Sequence, residues 1–183
     1  MIRLLVFLVV LFFGFNSYAF DATNNVTEIS QNGHWRVIEF ALKTQLIYRL
    51  SSTSINDTRQ SINFDFVPTK DCVPTAALMV SSLKTYDKVF DEGMLILAYK
   101  LPDQEQSIEM IKTEMSKGDT LAFFSFGKLI VPKLLNAKDR GKLAIWIPAS
   151  GDGTVKRSDN IYFSLDGFTA AYEETKRLCN DNK

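Results

Sequence analysis

The chain has 183 residues, with 21 basic and 21 acidic side chains, and 46% of its residues are hydrophobic. This balanced charge gives no concentrated basic face for nucleic acid, and the hydrophobic content suits a folded core rather than a disordered chain. A single His argues against most metal sites and most His-based catalytic sites. The sequence therefore predicts no cofactor, no metal and no nucleic-acid partner.

The first 19 residues have the layout of a cleavable export signal. Arg3 precedes an apolar run of ten residues, 4–13, and the small residues Ser17 and Ala19 suit signal peptidase. Ten helical residues span about 15 Å, half of a hydrocarbon core of about 30 Å. We expect cleavage before Phe20, no permanent membrane span, a periplasmic or secreted location, and a single domain over 20–183.

Most of that domain has the sequence pattern of β-strands. Residues 20–33 are polar and predict a loose leader, whereas 34–51 fits either a helical or a strand period. The β-branched and aromatic residues of 34–51 favour two strands, with a bend near residues 42–44. Residues 61–66 alternate between apolar and polar. Further strands are expected over 76–83, 94–101, 121–126, 142–148 and 161–165.

Two internal segments predict helices. Asp103 is placed to cap a helix whose apolar face is formed by Ile108, Ile111 and Met115. A shorter helical piece is expected between Pro132 and Gly141, because Pro favours a first turn and Gly follows a last one.

The last segment predicts an amphipathic helix over 167–179. Its apolar residues recur at intervals of three and four: Phe168, Ala171, Tyr172, Thr175 and Cys179. The predicted fold is therefore mainly β, a sandwich or partly open barrel, with a C-terminal α-helix and one or two short helices.

Cys72 and Cys179 are the only cysteines. An even count in an exported chain favours a disulfide, and Cys179 lies on the inward face of the last helix. The chain-entropy model assigns a bridge of this loop length about 4 to 5 kcal/mol. The alternative, a catalytic thiol, would need a base, and only His34 could serve.

Other groupings give weak signals for chemistry. Glu105, Glu109 and Glu114, with Asp103, could suggest paired catalytic acids, but Glu105 and Glu109 are one turn apart on a helix and would line its wet face. The Gly-rich turn at 150–153 lacks the residues of a phosphate-binding or calcium-binding loop. No catalytic residue is predicted.

A basic cluster is the surface feature that most suggests binding. It comprises Lys133, Lys138, Arg140 and Lys142. Anionic glycans, lipid headgroups or an unknown protein are the partners expected for it. A solvated turn is the alternative, because Asp139 interrupts the cluster.

The string DNIYFSLDGFTAAYEETKRLC, residues 159–179, resembles the C-terminal signature of the invasion-associated locus B family of exported bacterial proteins. The matching positions are Ser164, Leu165, Gly167, Phe168, Thr169, Ala170, Ala171 and Cys179. The resemblance implies an exported β-rich domain linked in some pathogens to host-cell entry, and it implies no catalytic residue. Physically, Gly167 would allow a close backbone approach while Phe168 fills the core.

These observations favour a non-enzymatic envelope or secreted factor, and the resemblance implies a role in interaction with host cells. The chief alternative is a periplasmic inhibitor or immunity-type protein that binds an envelope-directed enzyme, and a hydrolase is a more distant one.

Overall fold

The computed structural model describes residues 25–81, 93–115, 121–126, 130–146 and 160–183. Its strands, in chain order, are β1 (Val26–Asn32), β2 (Trp35–Ala41), β3 (Leu46–Thr53), β4 (Gln60–Phe66), β5 (Thr75–Ser81), β6 (Gly93–Lys100), β7 (Ser107–Met115), β8 (Leu121–Phe126), β9 (Lys142–Trp146) and β10 (Ile161–Ser164). The helices are α1 (Ile130–Asn136), α2 (Phe168–Asp181) and a 3-10 turn at Pro68–Lys70.

All ten strands belong to one antiparallel sheet, ordered β1-β2-β3-β4-β5-β8-β7-β6-β9-β10. The sheet curls so that β10 returns toward β2 and β3. The backbone N–H of Ile55, just past β3, donates to the carbonyl of Tyr162 at 2.8 Å. The indole Nε1 of Trp35 on β2 donates to the carbonyl of Ser164 at 2.9 Å. The sheet is not closed. The predicted fold, mainly β with a C-terminal helix, is confirmed.

The core is built around three fully buried aromatic rings. Trp35, Phe64 and Phe168 lie with ring centroids 4.9 to 5.9 Å apart. Tilted and edge-to-face pairs at these separations add about 0.5 to 1.5 kcal/mol each beyond the area that they bury. Phe168 is the first residue of α2, so this cluster fixes the start of the helix against β2 and β4.

The C-terminal helix is confirmed, and it buries the stripe that the sequence predicts. Its buried residues are Phe168, Ala171, Tyr172, Thr175 and Cys179. The hydroxyl of Thr175 donates to the carbonyl of Ala171, which satisfies a polar group inside the core. The helix packs mainly against β2 and β3.

The helix predicted to start at Asp103 is wrong, because this segment forms a turn and then strand β7. Asp103 has φ +56°, in the left-handed region, and it lies in the turn after β6. Ile111 is buried, whereas Ile108 and Met110 are exposed. These residues fit period two as well as a helical period, and pairing with β6 and β8 decides between the two.

The leader predicted at 20–33 is also wrong in part, because β1 occupies Val26–Asn32. Its polar, exposed residues carry little hydrophobic pattern, so the strand is stabilised by its ladder with β2 instead. The register shifts between Glu28 and Ser30, which marks a bulge on this edge strand.

The predicted signal at 1–19 and the turn at 150–153 lie outside the described residues. Within the described ranges, no helix has the length and hydropathy needed to cross a membrane.

Candidate functional site

A disulfide joins Cys72 to Cys179, as the sequence predicts, across 107 positions of the chain. Both residues are buried, and their Cα atoms are 5.9 Å apart. Cys72 follows the 3-10 turn, and Cys179 lies in the last turns of α2. The bridge therefore ties the C-terminal end of α2 to the loop between β4 and β5, and neither sulfur is a free thiol.

The turn between α1 and β9 is held by the start of α2. The N-cap of α2 is Gly167, which has no side chain to satisfy the helix N–H groups. Asp139 supplies that acceptor from across the structure, because its Oδ1 takes both the N–H and the hydroxyl of Thr169 at 2.7 Å. A carboxylate is also favoured at this positive end of the helix dipole. The carbonyl of Gly141 accepts the N–H of Leu165, which adds a second tie.

Three of the four predicted basic residues lie exposed on or next to this turn: Lys138, Arg140 and Lys142. Lys138 and Asp139 both have positive φ, 51° and 58°, so the turn has a defined and unusual shape. The carboxylate of Asp139, which interrupts the cluster in sequence, is engaged by α2. The cations therefore stand on a rigid support.

Lys100 lies next to these residues, a neighbour that the sequence does not reveal. On β6, Lys100 pairs with Ala144 of β9. Ala144 lies two positions after Lys142 on β9, so Lys100 and Lys142 project from the same face of the sheet. Such diagonal neighbours lie about 7 to 8 Å apart. Sequence reasoning misses Lys100 because about forty residues separate it from Lys142, and only the β6–β9 pairing signals their proximity.

The fourth predicted residue, Lys133, does not belong to this surface. It is half-buried on α1, and its Nζ donates to the hydroxyl of Tyr99 at 3.0 Å and to the hydroxyl of Ser107 at 2.8 Å. Its ammonium also lies 5.1 Å from the centroid of the Tyr99 ring. Lys133 therefore fixes α1 to the sheet rather than meeting a partner.

Glu109 completes this internal cluster, which corrects the prediction that it lines the wet face of a helix. On β7 it points to the side occupied by Tyr99, whose hydroxyl donates to Glu109 Oε1 at 2.8 Å. Burial raises the pKa of Tyr99 above its ordinary value, and the hydrogen bond from Lys133 acts in the opposite direction. Glu105 is exposed in the preceding turn, so the predicted acids are not grouped as a pair on one face.

His34 is exposed, and its backbone N–H donates to the carbonyl of Asp166. Among the described residues, no group of three His, Cys, Asp or Glu side chains could hold a metal ion.

A depression of about 260 Å³ lies between the β2–β3 turn and the 3-10 turn, and Leu42, Leu46 and Pro68 contribute to its lining. This volume falls below the range of about 300 to 1,000 Å³ of ordinary ligand pockets.

Neither family models nor curated proteins match the sequence. Among solved structures, the fold is similar to the crystal structure of invasion associated protein B from Bartonella henselae. The match has a TM-score of 0.57 and 13% sequence identity, and it covers 83% of this chain and 97% of that one. At this identity the likeness concerns the fold.

Proposed function

We propose that this chain is an exported periplasmic or secreted protein that acts by binding, without catalysis, in a role like that of invasion-associated proteins. The likeness of its fold to invasion associated protein B is the observation that carries the proposal. The name of that neighbour points to host-cell entry, and contact with a host cell is the role we extend to this chain.

The buried disulfide supports export. Disulfides persist in the periplasm and outside the cell, whereas cytosolic thiols are kept reduced. The Cys72–Cys179 bridge lies in the interior and closes a long loop, which are the features of a structural bond. A chain that depends on such a bond folds best in an oxidising compartment, which agrees with the signal expected at 1–19.

The exposed residues Lys138, Arg140 and Lys142 are the charged part of the proposed contact surface. Their turn is anchored by Asp139 to Thr169 of α2 and by Gly141 to Leu165, so binding would order little additional backbone. A surface of this kind suits an anionic partner, either a protein or a lipid or glycan surface.

Binding of the purified protein to host cells and to bacterial envelope fractions tests this function. Lys138→Glu combined with Arg140→Glu should weaken binding several-fold at low salt, with less effect at high salt. Lys176→Glu combined with Lys183→Glu is the matched control, since it makes the same charge change on exposed positions of α2 and the tail.

Three results would contradict the proposal. Equal binding by both double variants would remove the basic turn from the contact surface. Turnover of peptidoglycan or peptide, lost on changing one carboxylate, would establish an enzyme. Stoichiometric capture of one envelope hydrolase, which the protein inhibits, would establish the inhibitor class instead.

A further inference from the structure

Two large apolar side chains stand exposed next to each other on the outer face of β7. Ile108 is 66% exposed and Met110 is 69% exposed. Scattered exposed apolar residues are ordinary on protein surfaces. Here the two positions are i and i+2 of one strand, so both side chains project from the same face.

The ladder places further apolar residues beside this pair. Ile108 is opposite Ala98 of β6, and Ala98 is opposite Trp146 of β9, so the three form a row across three strands. Trp146 and Ala98 are half-buried, and each leaves part of its side chain accessible. Neighbouring strands are about 4.8 Å apart, so this row extends the apolar surface by about 10 Å from Ile108.

The same face becomes basic one step further along the strands. Lys100 is the next outward residue of β6 after Ala98, about 7 Å away, and Lys142 lies diagonally beside it on β9. Arg140 follows at the adjoining turn. The acidic residues nearest to Lys100 in sequence, Asp103 and Glu105, lie in the β6–β7 turn past the end of the strand, and Asp139, next to Arg140, accepts hydrogen bonds from Thr169.

These cations are available to a partner. Within the described part of the chain, no carboxylate forms an ion pair with Lys100, Arg140 or Lys142. The apolar residues of this face therefore lie between basic ones, with Lys100, Lys142 and Arg140 on one side and the exposed Lys112, two positions beyond Met110 on β7, on the other.

We propose that this outer face binds an anionic lipid bilayer. Ile108 and Met110 enter the boundary between headgroups and acyl chains, Trp146 lies at the headgroup level, and Lys100, Arg140 and Lys142 contact the lipid phosphates. Exposed apolar and aromatic side chains flanked by Lys and Arg are typical of a peripheral membrane surface. The inference rests on the proposed function, since it names the partner of the same basic turn in an exported protein.

Co-sedimentation with lipid vesicles is the test, using the exported protein in its oxidised form. Vesicles with about 30% phosphatidylglycerol should bind it, and vesicles of phosphatidylcholine alone should bind it weakly. Ile108→Ser combined with Met110→Ser should reduce binding to the anionic vesicles about tenfold or more, because two aliphatic side chains then lose their burial in the bilayer. Ile55→Ser combined with Val73→Ser is the matched control, since these residues are also exposed but lie elsewhere.

Tryptophan emission gives a second readout. Trp35 is fully buried and Trp146 is half-buried, and the chain has no other Trp. Insertion should shift the emission of Trp146 to shorter wavelength with anionic vesicles only. Raising salt from about 0.1 M to about 0.5 M should weaken binding, because the Debye length falls. Circular dichroism of each variant confirms that it is folded.

Absence of binding to anionic vesicles by the unaltered protein would overturn the lipid assignment, as would equal binding by the Ile108/Met110 variant and its control. If the unaltered protein does not bind vesicles but binds an acidic envelope protein, and the Ile108/Met110 variant does not, the partner is a protein. The proposed function survives either result, because export, the absence of turnover and binding to cells are measured separately.

Discussion

Two glycines with positive φ allow the β1–β2 turn to touch the start of α2. Gly33 has φ +56° and Gly167 has φ +82°. A Cβ on Gly33 would lie 2.5 Å from the carbonyl oxygen of Asp166, and a Cβ on Gly167 would overlap the carbonyl of Asn32. The sequence predicts a close approach at Gly167. The partner of that approach is visible only in the fold.

Gly167→Ala is therefore expected to destabilise the protein by about 2 to 4 kcal/mol, through the left-handed backbone and the overlap with Asn32. Urea unfolding of the oxidised protein measures the change. Asn180→Ala, at an exposed position of α2, should cost little. A Gly167→Ala protein as stable as the unaltered chain would show that the close approach does not exist.

Asp139 acts as a cap supplied from another part of the chain. Asp139→Ala should lower the free energy of unfolding by about 1 kcal/mol, because the N–H and hydroxyl of Thr169 lose their acceptor. Asp181→Ala is the control, since it removes an equally charged residue whose exposed pair with Arg177 is worth only about 0.3 to 0.5 kcal/mol. Equal losses in the two variants would contradict the capping role.

Tyr172 makes stability depend on alkaline pH. Burial, with a smaller contribution from the charge of Glu173, raises its pKa above the ordinary 10.0. Stability is therefore fully present below about pH 10 and falls as pH rises toward the folded-state pKa, because the unfolded chain ionises first. Tyr172→Phe keeps the ring against Phe66 and should make this fall shallower. If the free energy of unfolding falls equally steeply above pH 10 in Tyr172→Phe and in the unaltered protein, Tyr172 does not cause this dependence.

Helix α2 is the element that sequence predicts best, and β7 is the one it predicts worst. The stripe of α2 repeats over several turns and ends at a cysteine, so only a helix buries it. The apolar residues of β7 fit both periods, and its neighbours in the sheet determine the outcome. The weakly patterned β1 is a strand because β2 pairs with it, and no property of its own sequence indicates this.

The disulfide links α2 to the loop after β4, so its removal should loosen both. Cys72→Ala combined with Cys179→Ala should lower the free energy of unfolding by about 4 kcal/mol, since the unfolded chain regains the entropy of a long loop. Urea unfolding gives the value, and the unaltered protein under reducing conditions should show a similar loss. Stability that is the same with and without the bridge would exclude this role.

At the scale of the whole molecule, the proposed contact surface could be predicted only in part. Lys138, Arg140 and Lys142 are visible as a run of basic residues. Composition cannot reveal that Lys133 turns inward to Tyr99, or that Asp139 is engaged by α2, because both depend on packing between distant segments. Lys100 joins the surface through strand pairing alone.

The protein has a fold similar to that of an invasion associated protein and a buried disulfide, and we propose that it is exported. Intact-mass measurement of the protein recovered from the periplasm or medium, with and without thiol alkylation, tests it most directly. The account predicts a chain that begins at Phe20, takes up no alkylating reagent before reduction and takes it up at Cys72 and Cys179 afterwards. Recovery of the full-length chain from membranes or cytosol, with either thiol free in its native form, would contradict the claim.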